Sequence, residues 1–222
     1  ITSSTLGFWL EESHINLKAI GAIALIGIFY NLKFLWSPLV DVLKIPLLHK
    51  LMGRRRSWLL LSQGLLILSI LGLSTTNPAA NLQLTVLFAL AVAFFSATQD
   101  IVIDATRIET FDDTEQATAS AFYTYGYRIG MLISGGAALK LSEYMPWNGV
   151  YMFLAATIGL GVLGTLLVKE PEFKPRHKAQ NLAQQIKYAV VSPFANFMQR
   201  SGWLLLLAFV VVYKFPAAFL GG

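Results

Sequence analysis

Cysteine is absent from the 222 residues, which excludes disulfides, thiolate metal sites and cysteine nucleophiles but leaves the compartment undecided. Histidine occurs three times. His14, His49 and His177 lie in or near loops, far apart in sequence and without an HExxH-like spacing, so no metal site is expected. Glycine-rich phosphate loops, nucleophile elbows and membrane-protease signatures are missing, which points away from an enzyme, and no cofactor is expected. Charged residues make up only 13% of the chain. The net charge is +5, yet the basic residues fall in short clusters between apolar spans, where they set topology. No nucleic-acid partner is expected.

What the chain does have is apolar length. It is 55% hydrophobic, with a mean hydropathy of +0.60 and several runs of roughly twenty apolar residues, enough to cross a bilayer core. These features describe an all-α polytopic membrane protein whose partner is the lipid bilayer, because a span in lipid must satisfy its own backbone hydrogen bonds. Spans are predicted over 18–40, 57–75, 82–106, 117–140 and 148–168, with another starting at 202. Basic loops alternate with non-basic ones: Lys44, Lys50 and Arg54 to Arg56 precede the second of these spans, whereas the next loop, STTNPAANLQ, is uncharged. The positive-inside bias therefore puts 41–56, 107–116 and 169–201 on the cytoplasmic side. The middle assignment rests on parity, since that loop is mainly acidic. Asn77-Pro78-Ala79 imitates the water-channel tripeptide but reads as a turn.

The expected domains are 1–168, an N-terminal transmembrane bundle with a truncated first helix; 169–201, a cytoplasmic linker; and 202–222, the start of a C-terminal bundle. Within the linker, Leu182, Ile186 and Ala189/Val190 have the spacing of an amphipathic helix, lying on the membrane surface or packed on its own bundle. The chain reads as cut at both ends.

Ionisable residues inside spans cost roughly 2.5–3.5 kcal/mol at mid-bilayer, so each needs a partner or a job. Asp100 and Asp104 are four apart and share a helix face that Ser96 and Arg107 extend, while Gln99 projects about 100° away. Arg128 lies about 16 Å in from its cytoplasmic helix end and Asp100 about 10 Å from its own, depths that allow a charge pair if the helices adjoin. Lys214 reaches a similar depth, and Lys33 has a stem long enough to snorkel. Gly126, Gly130, Ser134 and Ala138 form a small-residue stripe suited to close helix approach, which would bring Arg128 near a partner helix; Gly135 and Gly136 would permit bending. In SPLVDVLKIPLLHKLMGRRRSW, Asp41 ends one helix and Arg54, Arg55 and Arg56 begin the next. An acid and guanidinium groups so placed can form a charge latch that closes in one state and opens in another.

LKFLWSPLVD, GRRRSWLLLSQ, FFSATQDIVIDATRIE and YGYRIGMLISGGAAL, in that order, closely resemble the bacterial anhydromuropeptide permease (AmpG-type) family of the major facilitator superfamily. The resemblance runs through the linker to WLLLLAFVVVYKF. It implies twelve helices in two halves, a bacterial inner-membrane location, and proton symport of GlcNAc-anhydroMurNAc and its peptides from periplasm to cytoplasm for peptidoglycan recycling, with the associated link to β-lactamase induction. A small-molecule substrate, protons and a monomeric state are the expected partners and assembly. Under this reading Gln99, Tyr123, Tyr125 and Tyr127 meet the disaccharide, Arg128 and Lys214 receive a carboxylate, and Asp100, with Asp104 second, carries the proton. The halves rock around a wetted central cleft. Val42 stands where the family commonly has Arg, and Pro216-Ala217 where Gly-Asp is expected, which bears on the latch and on helix seven. An acetyl-CoA or other solute carrier of the same superfamily is the alternative. A membrane-bound enzyme or a sensor is the second.

Overall fold

The computed structural model describes residues 4–15, 27–171, 190–192, 194–209 and 212. Among these there are helices and turns and no strands. The chain divides into two compact units, Ile1–Lys174 and Pro175–Gly222.

In the first unit, α1 is Ser4–Glu12, residues 27–32 are helical and run into a tight 3-10 turn, Lys33–Leu35, and α2 is Ser37–Val42. A short α3, Leu48–Met52, leads to α4, Arg54–Ser74; then come α5, Leu82–Thr110, and α6, Gln116–Met131. A π-helical segment, Leu132–Ala137, joins α6 to α7, Ala138–Ser142, and α8 is Trp147–Leu167. Among the described residues, α4, α5 and α8 are the helices long and apolar enough to cross a membrane by themselves. Every predicted span from 57 to 168 coincides with a helix or continuous helical run. The first, expected as one span, is helical over 27–32, broken by the turn at 33–36 and resumed in α2, residues 16–26 lying outside the described set.

α4 is the central helix, packed along both α5 and α8. Lipid is as apolar as leucine, so helices associate through close packing and hydrogen bonds rather than through the hydrophobic effect. The buried face of α4 shows this, with Ser57, Ser62, Ser69 and Ser74 alternating with Leu59, Leu66, Ile70 and Leu73. Their hydroxyls return to backbone carbonyls of the same helix, as Ser69 does to Leu65 at 2.7 Å, so small residues pack without an unmet donor. Gln63 Nε2 donates to Thr165 Oγ1 at 3.0 Å in the buried α4–α8 seam. At Gly72 the ring of Phe88 from α5 occupies the space a Cβ would need, 2.2 Å away.

Toward the end that carries the uncharged α4–α5 loop, Leu6, Trp9 and Leu10 of α1 are buried with Trp147, Tyr151 and Leu154 of α8. The Trp9 and Tyr151 rings lie 5.0 Å apart, and Trp147 Nε1 donates to Glu12 Oε2 at 2.6 Å. Asn77 closes the α4–α5 connection, its Oδ1 accepting from Ala79 N at 3.0 Å, and Asn81 caps α5 by accepting from Leu84 N at 3.1 Å. The Asn-Pro-Ala tripeptide is therefore a turn.

The glycine pair expected to bend its helix sits inside the π-helical segment, where an extra residue per turn loosens the ladder. Thr5 Oγ1 donates to the Ser134 carbonyl there, tying α1 to that segment. The small-residue stripe behaves differently along its length. Ala138 is buried, but Gly126 and Gly130 face open space. No helix approaches them among the described residues, so the expected close neighbour for Arg128 is not seen.

In the second unit, residues 190–192 and 194–199 are helical or turn at their end, and 203–209 form a further helix after Gly202, whose φ of +82° suits glycine alone. Phe197 and Trp203 meet edge to face at 6.4 Å. All but the last residue of the amphipathic pattern over 182–190 falls outside the described residues, as do Lys214, Pro216 and Ala217.

Candidate functional site

Helical spacing assembles the first polar cluster. Ser96, Asp100, Asp104 and Arg107 recur every three to four residues down one face of α5. Two neighbours answer them. From residues 27–35, Tyr30 Oη donates to Ser96 Oγ at 2.7 Å, the Lys33 ammonium binds Asp100 Oδ2, and Asp104 Oδ2 lies 3.8 Å from the same nitrogen. From α6, Tyr123 Oη donates to Asp100 Oδ1 at 2.6 Å. Arg107 reaches Asp104 Oδ1 at 3.7 Å, bonds Ser120 Oγ, and holds its guanidinium carbon 6.0 Å from the Tyr123 ring centre. Both oxygens of Asp100 are thus engaged, one by an ammonium and one by a phenol.

The four charges cancel: Lys33 and Arg107 against Asp100 and Asp104. They are not sealed in the interior of the unit, since the side chains of Lys33, Asp100 and Asp104 are 33%, 25% and 37% exposed. α6 has no buried residue at all. A face this polar cannot stand against lipid without a cost of several kcal/mol, so it is suited to water or to further protein.

The expected partnership of Asp100 with Arg128 is replaced by Lys33 and Tyr123. The reason is geometric. Tyr123 is the α6 residue level with Asp100, and Arg128 lies five residues on, about 7.5 Å farther along the axis and rotated about 140°. Arg128 is exposed and makes no ion pair among the described residues. Nor does Lys33 snorkel, because its amine turns to the carboxylates. The three tyrosines separate as well. Tyr123 and Tyr127 share a face, while Tyr125 points about 160° away from Tyr127 and is exposed. Gln99 is half-buried, and its side chain makes no hydrogen bond among the described residues.

A second cluster gathers the basic helix end. Arg55 forks onto Glu109, Nη2 to Oε1 at 2.6 Å and Nε to Oε2 at 2.8 Å, and its Nη1 reaches Asp41 Oδ1 at 2.7 Å. Arg54 bonds Glu109 Oε1 at 3.0 Å and the Asp41 carbonyl at 2.6 Å. Arg56 goes elsewhere, to the carbonyls of Thr165 at 3.1 Å and Leu166 at 2.7 Å at the C-terminus of α8, where a cation meets the negative end of the helix dipole. Glu170 accepts from the backbone N–H groups of Arg55 at 2.8 Å and Arg56 at 3.0 Å, filling the unsatisfied first turn of α4. Gly53 precedes that turn at φ +87°, and a Cβ there would meet Glu170 at 2.4 Å.

This cluster joins Asp41 to Arg54 and Arg55 as expected, leaves Arg56 out of the acid pairing, and adds Glu109 and Glu170, which sequence reasoning did not select. Glu109 carried a readable signal, an acid at the end of a span whose loop was expected on the same side as the arginines. Glu170 lay hidden in a mixed-charge run. The cluster also brings the ends at 41, 54–56, 109 and 165–170 together, which agrees with the parity-based side given to 107–116. No group of three metal-ligating side chains occurs among the described residues.

An apolar groove of about 230 Å³ lies beside these sites, lined by Trp36, Leu43, Trp58, Leu65, Phe94 and Phe95 among others. Ser62 and Thr98 also line it, but their hydroxyls are held by the carbonyls of Leu59 and Phe94, so it offers a sugar little to bind.

Comparison with known proteins agrees with these features. The family model of the Major Facilitator Superfamily matches residues 1–221. The chain is 39% identical over 225 residues to a putative transporter, AmpG 4, of Rickettsia felis, covering 100% of this chain and 54% of that protein. It is 38% identical over 220 residues to the anhydromuropeptide permease of Escherichia coli K12, covering 99% of this chain and 43% of the permease. Putative transporter AmpG 3 of Rickettsia prowazekii is 38% identical over 215 residues, 95% of this chain and 51% of its own length. The chain spans about half the length of the curated relatives it matches.

Proposed function

The chain belongs to the major facilitator superfamily, and from that premise we propose that the full-length protein imports anhydromuropeptides, GlcNAc-anhydroMurNAc and its peptides, across the bacterial inner membrane in symport with protons. The observation that carries the substrate class is the 38% identity, over 99% of the chain, to a protein named anhydromuropeptide permease. In this reading the chain supplies most of one six-helix half, 1–168, a linker, 169–201, and the start of the second half, 202–222. Transport proceeds by alternating access.

The uncovered polar face of α5 and α6 borders the pathway. Tyr123, Tyr127 and Gln99 offer hydrogen bonds and flat rings to the disaccharide, with Tyr125 on the adjoining exposed surface. Arg128, without an ion pair among the described residues, receives a carboxylate; Lys214, which lies outside those residues, is the second candidate for that role. Asp100 is the proton carrier, with Asp104 beside it. The cluster of Asp41, Arg54, Arg55 and Glu109 closes the cytoplasmic helix ends, while Arg56 steadies α8. The tight internal pairing of this cluster favours a clamp that keeps the half-bundle moving as one piece.

The test is uptake of labelled GlcNAc-anhydroMurNAc into vesicles holding the full-length protein, under an inward proton gradient, with acetyl-CoA and unrelated sugars as competitors. Saturable uptake blocked by unlabelled anhydromuropeptide and untouched by acetyl-CoA is expected. Uptake blocked by acetyl-CoA instead would reassign the substrate, and turnover in detergent, with no lumen to fill, would make the protein an enzyme.

A further inference from the structure

The ammonium of Lys33 has two claims on it and one charge to give. It binds Asp100 Oδ2 and stands 3.8 Å from Asp104 Oδ2. The other groups around Asp100 are accounted for. Tyr30 on residues 27–32 is taken by Ser96. On α5, Arg107 balances Asp104 at 3.7 Å. On α6, Tyr123 donates to Asp100 Oδ1, and Tyr127 follows one turn on along the same helix face. With Asp100 ionised the cluster sums to zero. When Asp100 takes a proton it sums to +1, and the surplus resides on Lys33.

Both oxygens of Asp100 already accept a hydrogen, Oδ1 from Tyr123 and Oδ2 from Lys33, so an incoming proton takes the place of one of these bonds. A neutral carboxyl, wherever its O–H sits, no longer carries the charge that holds an ammonium of three donors and no acceptor, and the ion pair is lost. Lys33 sits in the turn Lys33–Leu35 on an unbranched stem and is one-third exposed toward the uncovered face. Its amine can therefore leave Asp100 for an anion arriving on that face.

We propose that Lys33 is the coupling residue of this site, held by Asp100 while that acid is ionised and handed to a carboxylate of the substrate when Asp100 is protonated. This rests on the reading of the face as the substrate pathway. One proton is taken from solvent onto the Asp100 carboxylate, the ammonium keeps its three hydrogens, and no covalent bond to the substrate forms. Linkage is reciprocal: the proton favours the anion and the anion favours the proton. Neither enters easily alone, which is what symport requires. Arg128 lies away from Asp100 and supplies attraction that does not depend on this proton.

The experiment measures binding of GlcNAc-anhydroMurNAc, and of the same sugar with its lactyl carboxylate amidated, to the full-length protein in nanodiscs across pH. Wild type, Lys33→Met, Asp100→Asn and the double variant are compared, each first shown to elute as a single species. For the wild type and the acid sugar, affinity weakens by about tenfold per pH unit as the pH rises through the window where binding takes up one proton. The amide shows no such slope. Asp100→Asn binds the acid sugar tightly at every pH, Lys33→Met binds it weakly at every pH, and the double variant matches Lys33→Met. A wild-type slope retained in Lys33→Met would overturn the proposal, as would recovery of wild-type affinity in the double variant, the mark of an ion pair that only holds helices together. Wild-type uptake with pH-independent binding would overturn the coupling role while leaving the transport reading intact. Failure of the wild type to bind either sugar would overturn both.

Discussion

Replacing Arg55 by Ala removes the centre of the proposed clamp, and the structure sets the size of the loss. The side chain is 4% exposed and makes two bonds to Glu109 and one to Asp41, all between 2.6 and 2.8 Å. Deleting one partner of a fully buried pair costs about 3–5 kcal/mol, mostly from the charge left behind. Here the abandoned acids are less confined, Glu109 being 30% and Asp41 44% exposed. Arg54 also remains on Glu109 at 3.0 Å. Water and Arg54 therefore recover part of the loss, and about 2 kcal/mol is the expected cost. For a chain of this size that lowers the melting temperature by about 4–8 °C. Arg55→Lys keeps the charge but loses the planar fork, so it falls between the wild type and Arg55→Ala. Arg56→Ala breaks bonds only to two carbonyls and costs about 0.5–1 kcal/mol. Tryptophan fluorescence during heating of the detergent-solubilised protein reads all three. Equal shifts for Arg55→Ala and Arg56→Ala, or an Arg55→Ala shift of about one degree or less, would refute the clamp energetics.

Gly53→Ala forces a Cβ into Glu170 at a φ of +87° and is expected to cost about 1–3 kcal/mol; an unchanged melting curve would show that Glu170 does not sit on the α4 N-terminus. Gly72→Ala meets Phe88 and destabilises the α4–α5 seam, and Gly72→Ala with Phe88→Leu regains part of the loss in the same assay. Asp100→Asn in the full-length protein leaves uptake insensitive to the proton gradient; a full response would remove Asp100 from proton transfer. Arg128→Ala weakens binding of the carboxylate-bearing sugar, and unchanged affinity in correctly inserted protein would end its role as an anion receptor.

The two clusters were legible to different degrees. That Asp100 and Asp104 share a face with Ser96 and Arg107 is a matter of helical periodicity, visible in the letters. Their partners are not, because Lys33 and Tyr123 come from other helices, and which helices adjoin, at what rotation, is decided by packing. Depth and the small-residue stripe selected Arg128 for Asp100; rotation about the α6 axis rules it out and selects Tyr123. At the basic end, Asp41 and the arginines were readable as a latch because adjacent helices on a short loop must begin and end on one side of the membrane. Glu109 and Glu170 complete it from residues more than fifty positions away, where no local rule reaches.

Hydrophobic length determined the helices and their approximate ends, since a bilayer of fixed thickness imposes one solution on each apolar run. The Asn77 turn belongs with these, its side chain closing a bond two residues away. Tertiary structure alone decided that α4 is the centre, that α6 keeps a polar face uncovered by the described residues, and that a single lysine is shared by two carboxylates. Those outcomes depend on how small residues and hydroxyls let helices approach and rotate, a choice among packings that a one-dimensional pattern does not distinguish.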